Sequence, residues 1–216
     1  MIRLRHHKLS CVIFCLLGCV FVSTAFGLDS AKVAQAKYDA LKAKVQGGDV
    51  NIDWRDIRLD AVVADVDGAF DWHQANTAGV AAFNAGDYEG ALRKGQEIIQ
   101  HNIANGDGHF LVMVALKHLG KQEETAKEKL IVDQIVKSIM SSGDGKTADT
   151  AWFTVSTSEE YFVIRILGLK PESQALVKNG AHSFDRMTVV GEDGKETTLW
   201  FNTDTDIELT RRVGES

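Results

Sequence analysis

The sequence predicts an α+β fold, with helical hairpins through the first two thirds and a small C-terminal β-α-β-β unit. Apolar residues recur at helical spacing from Ser30 to about residue 141, in runs that end on glycines. After Gly145 the pattern gives way to short stretches rich in aromatic and β-branched residues, which favour strands. Asp193-Gly194, inside GEDGKE, then signals a tight hairpin turn between two such stretches.

The opening residues read as an address. MIRLRHHKL is a basic leader, SCVIFCLLGCVFV an apolar run and STAFG a small-residue cleavage site, so residues 1–27 are predicted to be a signal peptide. The apolar run is shorter than the roughly 20 residues that cross a bilayer. Cleavage after Gly27 or Ala25 fits the small-x-small rule, and Gly27 is preferred. A lipoprotein reading competes at Leu16-Leu17-Gly18-Cys19, but the bulky Leu17 stands where a small residue is usual, which disfavours anchoring through Cys19. The expectation is a periplasmic or secreted protein with no membrane span after processing.

All three cysteines, Cys11, Cys15 and Cys19, lie in this leader, so a processed chain has no disulfide, thiol nucleophile or cysteine-ligated metal. Processing also removes three of the 24 basic residues and none of the 30 acidic ones, making the chain more acidic than its overall net charge of −6. That balance argues against nucleic acid or an anionic membrane as partner.

Residues 28–72 form an N-terminal helical segment. Ala34, Tyr38, Leu41 and Val45 share one helical face before Gly47-Gly48, and Ile57, Leu59, Val62 and Val63 suggest a second, short helix. In residues 73–142, two helix-like runs each break at a glycine, Gly86 and Gly120, which stand 34 residues apart. That is the period of tetratricopeptide repeats, and the first unit resembles them. Gly79 stands at the small position of its first helix, AGDYEGAL matches the turn, and Ala91 falls where two helices cross. The second unit departs, with Met113 at the small position and Thr125 in place of the alanine. Two repeats leave outer faces bare, so the flanking segments are expected to cap them.

Residues 143–205 give the α/β unit: AWFTVS as a strand, SEEYFVIRILGL as a helix behind Ser158, then FDRMTVV and TTLWFNT around the Asp193-Gly194 turn. Residues 206–216 read as a loose tail.

Several blocks together carry a longer resemblance. YDALKAKVQGGDVNIDWRDIRL, NAGDYEGAL, SGDGKTADTAWFTVSTSEEYFVIRILGLKPESQAL and HSFDRMTVV, in this order, resemble an exported bacterial family known only as a domain of unknown function. The resemblance spans nearly residues 37–203 and implies no activity.

The candidate sites are weak as chemistry. SSGDGKT ends like a phosphate loop, but Met140 stands where the loop needs glycine, and a helix precedes it where a strand should. It reads as a helix end at Gly143 followed by a flexible turn. DVDGAF offers Asp65, Asp67 and Gly68 in calcium-loop places, yet Val63 and Gln74 occupy two main ligand positions. NTDTDIE would put Asn202, Asp204, Asp206 and Glu208 on one strand face, most simply a solvated edge. His73, His101, His109, His118 and His182 fall in no zinc motif, and no cofactor is expected. His182, Ser183 and Asp185 are too close along one strand to converge as a triad.

What remains is the concave face of the repeats. Its register selects His73, Asn76, Val80, Phe83 and Asn84 in the first unit, and Asp107, Phe110, Val114, Lys117 and His118 in the second. These predict a non-enzymatic module that binds a protein or peptide. The alternative is an enzyme with a site between the helices and the C-terminal sheet.

Overall fold

The computed structural model describes residues 18–207, with side chains from residue 30 onward. Most of the predicted leader, including Cys11 and Cys15, and most of the predicted tail lie outside these residues. The fold is α+β. Helices α1 (Gly18–Gln46), α2 (Trp54–Val63), α3 (Trp72–Asn84), α4 (Tyr88–His101), α5 (Gly106–His118) and α6 (Gln122–Met140) come first. Strand β1 (Trp152–Phe153), helix α7 (Thr157–Ile166) and strands β2 (Lys170–Asn179), β3 (His182–Val190) and β4 (Glu196–Asn202) complete it. Helix α1 is continuous through both predicted cleavage positions.

Short polar side chains start four successive helices. Asp53, Asp71, Asp87 and Asn105 each accept hydrogen bonds from backbone N–H groups in the first turn of α2, α3, α4 and α5. The two turns at the predicted repeat glycines have the same construction. In the first, Gly86 N–H donates to Phe83 and Asp87 N–H to Ala82; in the second, Gly120 N–H donates to Lys117 and Lys121 N–H to Leu116. Both glycines hold a positive φ, 81° and 73°, which a residue with a Cβ adopts only under strain.

Ala91 is fully buried in a small cluster with Leu111 and Ala115, with half-buried Ala82 at its margin. A leucine at position 91 would have to displace these neighbours. Ala91→Leu is therefore expected to cost about 1–3 kcal/mol in chemical denaturation, and Ala82→Leu distinctly less. The reverse order would mean that the register of this helix pair is wrong. One further crossing is closer still. A Cβ on Gly95 would lie 2.6 Å from Val112 Cγ2 and 3.1 Å from the Gly108 carbonyl oxygen, so α4 and α5 meet almost backbone to backbone.

The larger core joins the two ends of the chain. Tyr38 of α1, Trp54 and Ile57 of α2, Ile135 and Ile139 of α6, Phe162 of α7, and Met187 and Phe201 of the sheet belong to one cluster. Tyr38 Oη accepts from Ile103 N–H at 2.9 Å, fixing α1 to the α4–α5 link, and burial pushes this phenol up to about 12.

The sheet has the order β1-β4-β3-β2, with β1 parallel to β4 and the other pairs antiparallel. The predicted β-α-β-β unit thus gains a strand, β2, that the sequence reading passed over. β2 is the longest strand and an edge, with every side chain exposed or half-buried, so its polar pattern KPESQALVKN carries no buried alternation. Pro171 fits there because a bulge separates it from Ser173. The β3–β4 hairpin closes as expected, with Gly194 at φ 74°. Helix α7 begins earlier than its predicted cap, with Ser156 rather than Ser158 at the N-cap.

Two local readings need correction. The SSGDGKT turn is not loose. Asp144 accepts from Lys146 N–H and Thr150 Oγ1, Gly145 N–H donates to the Thr150 carbonyl, and Trp200 N–H donates to the Gly145 carbonyl. It is stitched to β4, with a helix before it and a strand after it. The NTDTDIE residues do not share a strand face either, because β4 ends at Asn202 and residues 204–207 turn helical. Nor is β4 an edge strand; it lies between β1 and β3.

Candidate functional site

The residues on the inner side of α3 and α5 border a groove of about 410 Å³. Asn76, Val80 and Phe83 come from α3, and Asp107, Phe110, Leu111 and Val114 from α5. Gly79 permits this arrangement, since a Cβ there would lie 2.4 Å from Leu111 Cδ2. The lining is almost wholly apolar, and Val80 is 43% exposed. Arg165 of α7 closes one end with an ion pair to Asp107. Burial raises the Asp107 carboxyl above its ordinary range, while Arg165 and then His73 pull the other way.

Of the predicted ligand-binding residues, Asn76, Phe83 and Phe110 therefore stand together in the lining. His73 is exposed, stacked on Trp72 at 3.8 Å, and acts on the groove only through the charge of Asp107. His118 stacks on Tyr88 at 4.5 Å and meets Phe83 edge-on, forming an aromatic cluster behind the groove. Asn84 and Lys117 are exposed at the ends of their helices and do not border it. Arg165 went unforeseen because its helix is distant in the sequence and joins the site only through tertiary packing.

A second cleft, of about 230 Å³, lies between α2, the α4–α5 link and the start of α7. Its lining is mixed, with Ala61, Val66, Ile135 and Phe162 beside the polar Arg58, Asp65, Asp67, Asn102, Asn105, Ser156, Ser158 and Glu159. Arg58 is only 1% exposed and is fully engaged. Its Nε and Nη2 donate to the two oxygens of Glu159 at 2.7 Å each, and Nη1 donates to Ser138. Asp67 accepts from Asn102 Nδ2 at 3.0 Å, and burial raises its carboxyl. Ser156 and Ser158 hydrogen bond to each other, and no histidine borders the cleft among the described residues. The cleft holds fixed polar groups without an assembled nucleophile and base.

The other described histidines are accounted for locally. His109 is buried with Nδ1 against Glu128 and Nε2 against the Ile103 carbonyl. His101 stacks on Phe70, and His182 Nδ1 pairs with Asp204, whose other carboxylate oxygen accepts from Ser183 N–H. No group of three or more His, Cys, Asp or Glu among the described residues is placed to hold a metal ion. No described helix is long and apolar enough to cross a membrane.

Residues 74–212 match the family DUF4919, described as a domain of unknown function. The chain belongs to this family. The DUF4919 span takes in the groove, the α7 arginine that closes it and the whole sheet, and leaves α1 and α2 outside. No curated protein and no solved structure matches the chain.

Proposed function

We propose that this DUF4919 protein is an exported, non-enzymatic module that binds a peptide segment in the α3–α5 groove, on helices related to tetratricopeptide repeats. The observation that carries the reading is the groove itself. An apolar floor of Val80, Phe83, Phe110 and Val114 lies open to solvent, with Asn76 and the Asp107–Arg165 pair at its margin. Such a floor receives an aliphatic or aromatic side chain, while the amide of Asn76 and the guanidinium of Arg165 serve the carbonyl groups of the same segment. The matching turns at Gly86 and Gly120 support the repeat relationship. Export rests on the basic leader, apolar run and small residues of positions 1–27, and places the protein in the periplasm or outside the cell. The alternative, an enzyme, would find a candidate place in the cleft beside Arg58, where the Arg58–Glu159 pair is already mutually neutralised.

Selection of a random peptide library on the purified protein tests the groove. Peptides with an apolar anchor are expected to be enriched, and Val80→Asp should abolish their binding while Val33→Asp, on the exposed side of α1, leaves it intact. Enrichment that survives Val80→Asp, or none at all, would sink the proposal.

A further inference from the structure

The α3–α5 groove and the cleft beside Arg58 meet at one side chain. Asp107, paired with Arg165, borders both of them. Within the cleft the charges do not balance. Arg58, the one cation in its lining, is 1% exposed and gives its donors to Glu159, Ser138 and the Phe153 carbonyl. Asp65 and Asp67, on the α2–α3 link, also border the cleft, and neither has an ion-pair partner among the described residues. His101 acts on Asp67 from outside the lining, and less than Asp65 does in the opposite sense. Asp67 Oδ2 accepts from Asn102 Nδ2 at 3.0 Å, whereas Oδ1 is buried and has no hydrogen-bond partner. A buried acceptor without a donor is unfavourable, so a donor brought to this carboxylate is favoured. Val66 and Phe162 add an apolar wall beside it.

We propose that the segment bound in the α3–α5 groove continues past Asp107 and inserts a lysine or arginine side chain into this cleft, with its charged head toward Asp65 and Asp67. The inference rests on the peptide-binding reading of the groove and narrows the ligand to an apolar anchor with a basic residue a short, fixed distance along the chain. A lysine or arginine suits the lining because its aliphatic stem lies along apolar surface while its head supplies the missing donors and charge. The Asp107–Arg165 pair at the junction is neutral as a unit, so a peptide backbone crosses it without meeting a net charge. The net charge of −6 on the whole chain favours the approach of a basic segment.

Fluorescence anisotropy on the purified protein tests this with labelled peptides in which glycine spacers of increasing length separate a phenylalanine from a lysine, each compared with the same peptide carrying norleucine for lysine. At one spacing the lysine peptide is expected to bind about tenfold more tightly than its norleucine counterpart. Asp65→Asn with Asp67→Asn should remove that difference. Asparagine accepts the positive φ of 52° at position 65, and Asp65→Asn alone, at an exposed position, should already reduce the difference. Lysine and norleucine peptides that bind alike at every spacing overturn the inference and leave the groove reading in place. A lysine preference that persists in the double variant does the same. If none of the peptides binds in a way that Val80→Asp abolishes, both readings fail.

Discussion

Replacing Arg58 by alanine is expected to cost about 3–5 kcal/mol, the usual penalty for stripping one partner from a buried ion pair. The guanidinium is almost wholly buried and makes four hydrogen bonds, to both Glu159 oxygens, to Ser138 Oγ and to the Phe153 carbonyl. These partners lie on α7, α6 and β1, while Arg58 itself belongs to α2, so one side chain joins four elements. Its loss leaves Glu159 confined without a counter-charge and the Phe153 carbonyl short of a donor. Chemical denaturation at neutral pH gives the measurement, and a cost below about 1 kcal/mol would place the pair among ordinary surface bridges. Removing both charges, as Arg58→Met with Glu159→Gln, should recover part of the loss, because the desolvation of the stranded carboxylate then disappears.

Glu160 should make the protein less stable as pH rises through the neutral range. The residue is fully buried, and its carboxyl is pushed up to about 9, first by burial and then by the neighbouring Asp185 carboxyl. Thr154 Oγ1 donates weakly to one of its oxygens, at 3.5 Å, while Gln174 Nε2 donates to Asp185. The unfolded chain releases the Glu160 proton near its ordinary value of 4.5, whereas the folded protein keeps it to about 9. Between those values the folded state binds more protons, so its stability falls as pH rises, by up to ~1.4 kcal/mol per pH unit. Below that window both states are protonated and the contribution is at its fullest. Glu160→Gln, neutral at every pH and able to donate to Asp185, should match the parent near pH 4.5 and exceed it increasingly toward pH 9. A stability difference between the two proteins that does not change with pH would rule this account out.

Elements with one buried face were legible in the sequence. Ala34, Tyr38 and Val45 announced the core face of α1, and all three are buried. The two glycine turns, 34 residues apart in the sequence, have the same hydrogen bonds, and Asn76, Val80 and Phe83 of α3 line one groove with Phe110 and Val114 of α5. β2 escaped because periodicity records burial, and a strand exposed on both faces has nothing periodic to record. Gly95 and Gly108 escaped for another reason. A glycine inside a helix reads as a weak position, and only the facing helix shows that a Cβ would collide with Val112 or Ile98. Arg58 and Glu160 look like ordinary helix-surface charges in the sequence. What buries them is the approach of α2, α7 and β3, and that depends on contacts between distant parts of the chain.

The strand order has a temporal meaning. Among the described residues β4 is the last strand in sequence and one of the two inner strands of the sheet, held between β1 and β3. β2, β3 and β4 can pair as neighbours, but β1 finds its partner only after the whole meander has been made, a non-local contact of the kind that slows folding. A chain stopped before Glu196 would therefore present β1 and β3 as two bare edges, and the half-made sheet would be open to the wrong partners. Assembly of the sheet therefore waits on Glu196–Asn202, and losing that segment removes an inner strand while the rim strands β1 and β2 are still in the chain.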